Sequence, residues 1–339
     1  MDTLFNIDPA RKTPKYQQII HSINQAILKG KLRKGDQIFS INELSEECYL
    51  GRETVQKAYN ILRKKGVLVG IPGKGFFVNR TDLTSAYRIL LLFNKISNYK
   101  RQIYNAFVQT IGDRGHFDLK IHHSNVQLFE NQLAEHLGDY DYYVIMPHFY
   151  EGQDRVRLLL KTIPPEKLVL MDKDLQGYPA SYAAVYQDFK ADIHDALEEA
   201  LDLLRKYRTL ILVQPTLVPY PAEIAVGFRN FCMNNCFRYR IIDEIDPGVE
   251  VCTGEAYVII EETDLVNLIK MCRASNLLIG RDVGIVSYND TPLKEILLEG
   301  ITVISTDHAR MGETAARLIL ENRREKIKNP FVLIRRKSL

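Results

Sequence analysis

The first eighty residues carry short amphipathic segments separated by glycines. Apolar residues at helical spacing predict a first helix over residues 14–28, and Gly30 ends it. Ser40 and Glu43 have the spacing of a capping box, which predicts the start of a second, short helix. A third helix is predicted over residues 52–65. Its apolar face, at i, i+3, i+4 and i+7, consists of Val55, Ala58, Tyr59 and Leu62.

The opposite face of the third predicted helix is polar, and a glycine-rich hairpin follows it. Residues 67–69 and 76–78 are typical of two short strands around the tip Gly-Ile-Pro-Gly-Lys-Gly. A narrow helix with such a face fits the major groove of DNA, and the hairpin can approach a phosphate backbone. The tip does not have the glycine and Lys-Ser/Thr spacing of a phosphate-binding loop. The alternative is a small packing module with a polar outer face.

Beyond residue 88, apolar runs alternate with amphipathic stretches. The amphipathic stretches include residues 100–114, 188–207 and 262–275. Strands that alternate with crossover helices predict parallel sheets covered on both faces, here in two lobes. Ligands in such folds bind at the carboxyl ends of the strands. The runs typical of strands are 88–93, 119–122, 142–146, 168–171, 210–213, 240–245, 256–260 and 283–288.

Composition divides the chain in the same way. Its 339 residues exceed one average domain of roughly 150 residues. Residues 1–80 contain 14 Lys or Arg and 7 Asp or Glu, a balance of +7, whereas the remainder contains 31 and 35, a balance of −4. A small basic module beside a larger, mildly acidic one favours nucleic-acid binding by the first. No apolar run approaches the roughly 18 residues needed to cross a bilayer, so no membrane partner is expected.

The cysteines and the first residues favour a cytoplasmic protein. The start of the chain has acids and a proline where a signal peptide needs a continuous apolar stretch. Cys232 and Cys236 are four residues apart, but no matching Cys or His pair lies elsewhere at zinc spacing. We therefore expect no metal site. The cysteines are interpreted as reduced and mostly buried thiols, and they are Cys48, Cys232, Cys236, Cys252 and Cys272.

Motifs of the common enzyme classes are absent from the sequence. It contains no G-x-S-x-G elbow, no H-E-x-x-H zinc helix and no dinucleotide-binding motif. A tight acidic cluster occurs at 172–174 and an acid/His pair at 307–308, both at the ends of predicted strands. Carboxylates at such positions more often cap helices or bind ligands than catalyse reactions. We expect no catalytic residue and no cofactor. An enzyme of carbohydrate metabolism with an accessory basic module is the less favoured alternative.

Residues 14–78, from the run PKYQQI to the hairpin strand GFFV, resemble the winged helix-turn-helix of the GntR family of bacterial transcription regulators. The resemblance implies a DNA-binding domain over residues 1–79, followed by a polar linker over 80–87. The chain departs from the family pattern at Phe39, Asn42 and Gly51, where proline, a DNA-contacting arginine and serine or threonine are usual. The residues implied to contact operator DNA are Ser40, Asn42, Arg52, Thr54, Gln56, Lys57, Gly73 and Lys74.

Residues 282–320 resemble the lactose/galactose-repressor family, whose effector domain has the periplasmic sugar-binding fold. The resemblance lies in Ser-Tyr-Asn-Asp-Thr at 287–291, the strand at 301–306 and Met-Gly at 311–312. Residues 331–338 are similar to the family's closing strand. The implied fold is a winged helix-turn-helix (α+β) domain plus a bilobed α/β effector domain with two parallel-sheet lobes over residues 88–339. This combination is similar to the arabinose-responsive repressors of bacteria.

The second resemblance implies a sugar site in a cleft between the lobes. Carboxylates and amides can chelate the hydroxyls of a monosaccharide. The arginine position of that family is occupied by Ile224 here, and the nearby arginine is Arg229. The effector-binding residues implied are His148, Asp172, Tyr186, Arg229, Asn289 and Thr306.

Together the two resemblances imply a sugar-responsive repressor that acts as a homodimer on a pseudo-palindromic operator in double-stranded DNA. The implied effector is a pentose or deoxyhexose such as arabinose or fucose. The alternative effectors are a nucleobase, a nucleoside or a phosphorylated metabolite, because purine-responsive members share the fold.

Overall fold

The chain divides into two compact units, Met1–Tyr87 and Arg88–Leu339. The structure is a computed structural model, and it describes residues 5, 7–8, 14–81, 86–175, 177–178, 181–246 and 248–339. Residues 82–85 of the predicted linker lie outside the described residues. The strand that begins the second unit starts one residue before this division, at Tyr87.

The described part of the first unit contains three helices and a small antiparallel sheet. The helices are α1 (Lys15–Leu28), α2 (Ile41–Glu47) and α3 (Arg52–Lys64). The strands are β1 (Gln37–Ile38), β2 (Leu68–Ile71) and β3 (Gly75–Val78), in the order β1-β3-β2. The β2–β3 hairpin pairs as far as Ile71 with Gly75, so both strands extend closer to the tip than the sequence predicts.

Local sequence explains how this unit is held together. The Ser40 hydroxyl accepts a hydrogen bond from the Glu43 backbone N–H at 3.2 Å, and the Glu43 carboxylate accepts from the Ser40 N–H at 2.7 Å. The predicted capping box is therefore confirmed. The Tyr59 hydroxyl donates to the backbone oxygen of Phe39 at 2.7 Å. The predicted apolar face of α3 is fully buried, and it consists of Val55, Ala58, Tyr59 and Leu62.

The second unit alternates strands and helices along the chain. Its strands are β4 (Tyr87–Phe93), β5 (Gly115–Ile121), β6 (Tyr142–Ile145), β7 (Leu168–Asp172), β8 (Ala183–Tyr186), β9 (Thr209–Val213), β10 (Arg238–Ile242), β11 (Glu255–Ile259), β12 (Val283–Tyr288), β13 (Thr302–Thr306), β14 (Lys326–Lys328) and β15 (Phe331–Ile334). Its helices are α4 (Asn98–Ile111), α5 (Val126–His136), α6 (Gln153–Leu160), α7 (Phe189–Glu199), α8 (Leu201–Leu204), α9 (Glu223–Asn234), α10 (Glu262–Ala274), α11 (Pro292–Ile296) and α12 (His308–Leu320). Single 3-10 turns occupy Gly112–Arg114, Pro165–Lys167 and Leu297–Glu299.

These elements form two lobes, each built on a six-stranded sheet. The first-lobe sheet has the order β14-β8-β7-β6-β4-β5, and the second-lobe sheet has the order β10-β9-β11-β12-β13-β15. The pairs β4–β6, β6–β7, β7–β8 and β8–β14 are parallel, as are the neighbours from β10 to β13. Strand β15 is antiparallel to β13. The predicted bilobed α/β fold is confirmed.

Within the described residues, the chain passes between the lobes three times. It crosses from β8 to α7, from β13 to α12 and from β14 to β15. Helix α7 packs on α9 and β15 of the second lobe, whereas α12 packs on α4, β7 and β8 of the first. Both sheets therefore point the carboxyl ends of their parallel strands toward the crossings, where a cleft separates the lobes.

A glycine sets the closest helix contact in each lobe. A Cβ added at Gly312 of α12 would lie 2.2 Å from the backbone oxygen of Ile103 on α4. A Cβ added at Gly227 of α9 would lie 2.2 Å from the backbone oxygen of Lys190 on α7. Only glycine allows the two backbones to approach so closely, because any side chain would force the helices apart.

All five cysteines are free thiols. Cys232 and Cys272 are buried, whereas Cys236 and Cys252 are exposed, so the prediction that most are buried is wrong. Cys236 directly follows α9, and Cys252 lies in the loop before β11, where no sheet or helix covers them. No helix in the described part of the chain has both the length and the apolar character to span a bilayer.

We expect Gly312→Ala to destabilise the second unit by about 1–3 kcal/mol, although alanine favours helix more than glycine does. The added methyl group has no room beside Ile103. Urea unfolding measures the effect. Arg317→Ala, on the exposed side of the same helix, serves as control and is expected to change stability by no more than about 0.5 kcal/mol. Equal stability of the Gly312→Ala protein and the parent would contradict the close packing of α4 and α12.

Candidate nucleic-acid interface and ligand cleft

The predicted DNA-contacting residues lie at the start of α2, in the first half of α3 and at the tip of the β2–β3 hairpin. The buried stripe of α3 fixes the rotation of that helix, so its polar residues face outward. Lys57 and Tyr16 contact each other, with the lysine nitrogen 4.1 Å from the ring centroid. Six of the eight are exposed, namely Asn42, Arg52, Gln56, Lys57, Gly73 and Lys74, and the two half-buried ones are Ser40 and Thr54. All eight assignments stay predictions.

The hairpin tip is held in place by its backbone and by one side chain. Gly73 and Gly75 have φ values of 75° and 103°, a region that side chains other than glycine rarely adopt. The Gln37 side-chain amide donates to the backbone oxygen of Lys74 at 2.9 Å, which ties the tip to β1. The Lys74 side chain is left free to extend into solvent, as a contact to a phosphate backbone requires.

In the second unit, the carboxyl ends of the strands line a cavity of about 200 Å³ that is partly open to solvent. First-lobe residues that line it are Asn94, Lys95, Tyr99, Lys100, Ile103, His123, Ser124, His148, Tyr150, Asp172 and His308. Second-lobe residues are Val218, Pro219, Tyr220, Pro221, Ile224, Tyr288 and Asn289, and the first crossing adds Gln187 and Phe189. In the described residues, no three His, Cys, Asp or Glu side chains are grouped to hold a metal ion.

Four of the ten non-glycine residues that have positive φ in the described part of the chain line this cavity. His123, Ser124, Asp172 and Asn289 all line it and have positive φ values of 49°, 57°, 74° and 63°. Such conformations cost free energy for residues with side chains, and they cluster at binding sites, where surrounding structure enforces them. The strain therefore marks the strand ends of both lobes as a site for ligand binding.

Asp172 is the centre of a buried polar cluster. Its Oδ2 lies 2.9 Å from His148 Nε2 and 3.6 Å from Lys100 Nζ, and its Oδ1 accepts from the Gln187 side-chain amide. Lys100 also donates to the Asn94 side-chain oxygen and to the Met146 sulfur. Buried charges need such pairing, because desolvation would otherwise neutralise them.

The pKa values of this cluster follow from burial and pairing. Burial would raise the pKa of Asp172, but the neighbouring His148, Lys100 and Gln187 hold that pKa well below its usual range. Burial lowers the pKa of Lys100 to about 8 and lowers the pKa of His148 despite its contact with Asp172. At neutral pH we infer a Lys100 cation paired with an Asp172 carboxylate. A neutral His148 then donates its Nε2–H to the acceptor-only carboxylate and keeps Nδ1 as an acceptor.

The second lobe holds Asn289 through its backbone. The buried Lys294 ammonium donates to the backbone oxygens of Tyr288 at 2.9 Å and of Asn289 at 2.7 Å. Burial lowers the pKa of Lys294 to about 8, so it remains largely protonated at neutral pH. Asp290 follows Asn289 in the chain, and Arg336 donates two 2.8 Å hydrogen bonds to the Asp290 carboxylate. These contacts fix the left-handed turn that presents the Asn289 side chain to the cavity.

Two polar contacts join the lobes across the mouth of the cleft. The Lys95 ammonium of the first lobe lies 3.4 Å from the Tyr220 hydroxyl of the second, which donates in turn to Glu261. Lys173 of the first lobe lies 3.9 Å from Glu223 of the second. Both contacts are partly exposed and therefore weak, so they can break and form as the lobes move.

The structure brings three of the six predicted effector-binding residues together. His148, Asp172 and Asn289 line the cavity. Tyr186, Arg229 and Thr306 do not line it, and their assignments stay predictions. Arg229 is exposed on α9. The Thr306 hydroxyl accepts from Asn329 at 2.7 Å and donates to the Pro330 backbone oxygen at 3.2 Å.

Among the cavity residues that the sequence interpretation did not assign to the site are Lys100, Gln187 and Tyr288. Lys100 has a detectable signal, because it falls on the buried face of α4 with Ile103 and Phe107. A lysine within an apolar helical stripe indicates a paired or functional charge. Gln187 and Tyr288 give no comparable signal, since an aromatic or amide at a strand end is common in folded cores.

Comparison with protein families separates the two units. Residues 15–78 match the family described as bacterial regulatory proteins, gntR family. Residues 191–339 match the periplasmic binding protein-like domain, which includes most of the second lobe and the closing strands. The two matches lie on the winged helix-turn-helix and on the bilobed α/β fold, respectively.

Solved structures similar to this chain include repressors, and their low identity shows the fold alone. The lac repressor dimer bound to operator and the anti-inducer ONPF aligns with a TM-score of 0.62 and 14% identity, over 75% of this chain and 94% of that one. The trehalose repressor from Escherichia coli aligns with a TM-score of 0.59 and 15% identity, over 74% of this chain and 100% of that one.

Curated relatives match shorter stretches of the chain. The arabinose metabolism transcriptional repressor of Geobacillus stearothermophilus is 36% identical over 67 residues, which are 20% of this chain and 18% of that protein. The HTH-type transcriptional repressor YtrA of Bacillus subtilis is 31% identical over 100 residues, which are 30% of this chain and 73% of that protein. The winged helix-turn-helix, the family match over it and the coverage of YtrA agree: the chain belongs to the GntR family of bacterial regulatory proteins.

Proposed function

We propose that this protein is a cytoplasmic, sugar-responsive transcriptional repressor. It binds operator DNA through α2, α3 and the hairpin, and its DNA affinity changes when a monosaccharide occupies the cleft between the lobes. The observation that carries this proposal is the cleft itself, where the buried Asp172–Lys100–His148 cluster of the first lobe and the left-handed turn at Asn289 of the second lobe line one cavity. A DNA-binding family domain precedes that cleft in the same chain.

The chemistry of the cleft supports a hydroxyl-rich effector. Asp172, Asn289 and His148 offer oxygen and nitrogen atoms that hydrogen-bond to hydroxyls, and Tyr99 and Tyr150 offer aromatic surfaces. Sugar sites combine such polar groups with aromatic rings that pack on the apolar face of the sugar. A pentose or deoxyhexose such as arabinose or fucose is the effector that we favour, in line with the arabinose repressor among the relatives.

The proposed coupling relies on the two lobes. An effector that contacts both lobes binds one relative arrangement of them more tightly, and this difference is the only source of an allosteric response. Typical couplings change affinity by about 5- to 150-fold. The three chain crossings are the natural hinges for such a movement.

We assign residues 1–79 to DNA binding, 80–87 to a linker and 88–339 to effector binding and homodimerisation. A dimer would place two recognition helices in successive major grooves, which requires a pseudo-palindromic operator. No catalytic role is assigned to the cleft, because the similar proteins of known role are regulators.

Replacing Arg52 with alanine is expected to weaken binding to an operator selected from random DNA duplexes. An arginine that contacts a base pair contributes about 1–3 kcal/mol, so a loss of about 5- to 150-fold is expected. Fluorescence anisotropy at fixed salt measures the affinity. Lys161→Ala removes the same charge from an exposed position of the second unit and is the control. Equal loss in both variants would point to net charge alone.

Replacing Asp172 with asparagine is expected to lower sugar affinity at least about tenfold and to destabilise the free protein by about 3 kcal/mol at pH 7. The change leaves Lys100 buried without its counter-ion. Since the pKa of Asp172 is depressed from 3.8, its stabilising contribution is present above about pH 4 and disappears as the pH falls further.

Denaturant unfolding from pH 3 to pH 8, together with calorimetric sugar titration, measures both effects of the Asp172 change. Asp174→Asn, two residues away and paired with Lys326 at 3.0 Å outside the cavity, is the control. If both variants keep the affinity of the parent, Asp172 has no part in effector binding.

A further inference from the structure

Two buried polar atoms beside the first crossing have no hydrogen-bond partner among the described residues. They are the hydroxyl of Tyr288 and the side-chain oxygen Oε1 of Gln187. Tyr288 is 4% exposed and Gln187 is 9% exposed, and both residues line the cavity. Burying such atoms without a partner is unfavourable, and most buried polar groups in proteins are paired. Their position in a ligand cleft indicates that a ligand completes the pairing.

Neighbouring contacts fix the orientation of both side chains. Gln187 donates its side-chain N–H to the Asp172 carboxylate, which accepts only, so Oε1 is the atom left without a partner. Its backbone N–H also donates to the Asp172 backbone oxygen at 3.1 Å. The Tyr288 ring packs against Phe331 at 5.5 Å between centroids. Neither group can turn toward another protein partner without breaking these contacts.

The hydrogen-bond donor and acceptor roles of these groups are defined at neutral pH. Burial raises the pKa of Tyr288 well above its usual value, and the charges of Asp192 and Asp172 raise it further, so the hydroxyl stays protonated and donates. Gln187 Oε1 is an acceptor. The neutral His148 keeps its Nδ1 as a second acceptor, since its Nε2–H is held by Asp172.

We propose that Tyr288, Gln187 and His148 form a subsite for an uncharged hydroxyl group of the effector, and that this subsite rejects phosphate and carboxylate groups. The inference rests on the proposed sugar response and makes its ligand class narrower. A hydroxyl can donate to Gln187 or His148 and accept from Tyr288 at the same time.

An anionic group does not fit this part of the cleft. A carboxylate has no proton to donate, so Gln187 Oε1 and His148 Nδ1 would remain unpaired beside it. Removing an anion from water without a matching cation is also strongly unfavourable. The buried cations of this region are already engaged, because Lys100 is paired with Asp172 and Lys294 donates to the backbone oxygens of Tyr288 and Asn289. The subsite therefore favours a neutral sugar over its phosphate ester or its sugar acid.

Tyr288→Phe tests the subsite, because it removes one hydroxyl and keeps the ring. The chain offers a matched control in Tyr207→Phe. The Tyr207 hydroxyl is also buried and without a partner among the described residues, but Tyr207 does not line the cavity. Calorimetric titration of the full chain would use L-arabinose, L-fucose and D-ribose as neutral probes. D-ribose 5-phosphate and D-glucose 6-phosphate are the anionic probes.

A neutral sugar is expected to bind the parent and Tyr207→Phe equally, and to bind Tyr288→Phe about 10- to 100-fold more weakly. The melting temperature of the free Tyr288→Phe protein is expected to stay equal or rise, because the lost hydroxyl had no partner. A structural role for the hydroxyl would instead lower that temperature together with affinity, and this result overturns the subsite.

The remaining outcomes separate the subsite from the proposed function. Unchanged affinity of Tyr288→Phe for a neutral sugar overturns the subsite and leaves the sugar-responsive repressor in place. Binding of the phosphates alone overturns the ligand class, while effector control of DNA binding still stands. Binding of none of these probes by a protein that still binds DNA overturns both the subsite and the sugar response.

Discussion

The direction of parallel strands is the constraint on which the rest of the second unit depends. All strands of a parallel sheet end at one edge, and three crossings of the chain oppose the corresponding edges of two such sheets. Residues that are distant in sequence, such as His148, Asp172 and Asn289, are thereby collected around one cavity. The cleft follows from topology, and its chemistry follows from the few residues that end each strand.

Burying the Asp172–Lys100 pair costs free energy of desolvation, and packing alone does not offset it. Two charges removed from water are often less stabilising than apolar side chains of similar size. Here the pair is surrounded by His148, Gln187 and Asn94, which satisfy most of its hydrogen-bonding capacity. Such an arrangement keeps polar groups rigid beside a cavity, which suits recognition, because the protein then loses little entropy when a ligand binds.

Sequence alone predicts most of the fold, because the spacing of the apolar residues is regular and the breaks between elements are clear. Strand β12 coincides with the predicted run 283–288, and the buried stripe of α3 is the predicted one. Strands β8 and β14 escape prediction, since β8 has four residues and β14 has three, two of them lysines. Strand β14 pairs with β8, and β8 pairs with β7. This pairing defines both strands, and it cannot be seen in a local sequence pattern.

The site is less predictable than the fold, for a related reason. Resemblance placed His148, Asp172 and Asn289 at strand ends, where the cavity lies. It assigned no role to Gln187 or to Tyr288 of the 287–291 motif, because each has a buried polar atom whose missing hydrogen-bond partner only the structure reveals. A missing partner is a property of the packed structure, because it depends on every neighbour of the atom. The outward face of α3 is easier to predict from the sequence, because the helical spacing of the residues within one helix defines it.

The last strands of the chain have a consequence for biosynthesis. Strand β14 forms an edge of the first-lobe sheet, and β15 forms an edge of the second-lobe sheet. Neither sheet is therefore complete until the residues from Lys326 onward have been synthesised. The N-terminal unit has no such dependence, because its described helices and strands all lie before Asn79. On the ribosome, the N-terminal unit can therefore fold long before the cleft of the second unit is complete. A frameshift late in the gene would yield a chain with a sequence-intact N-terminal unit and an incomplete second unit.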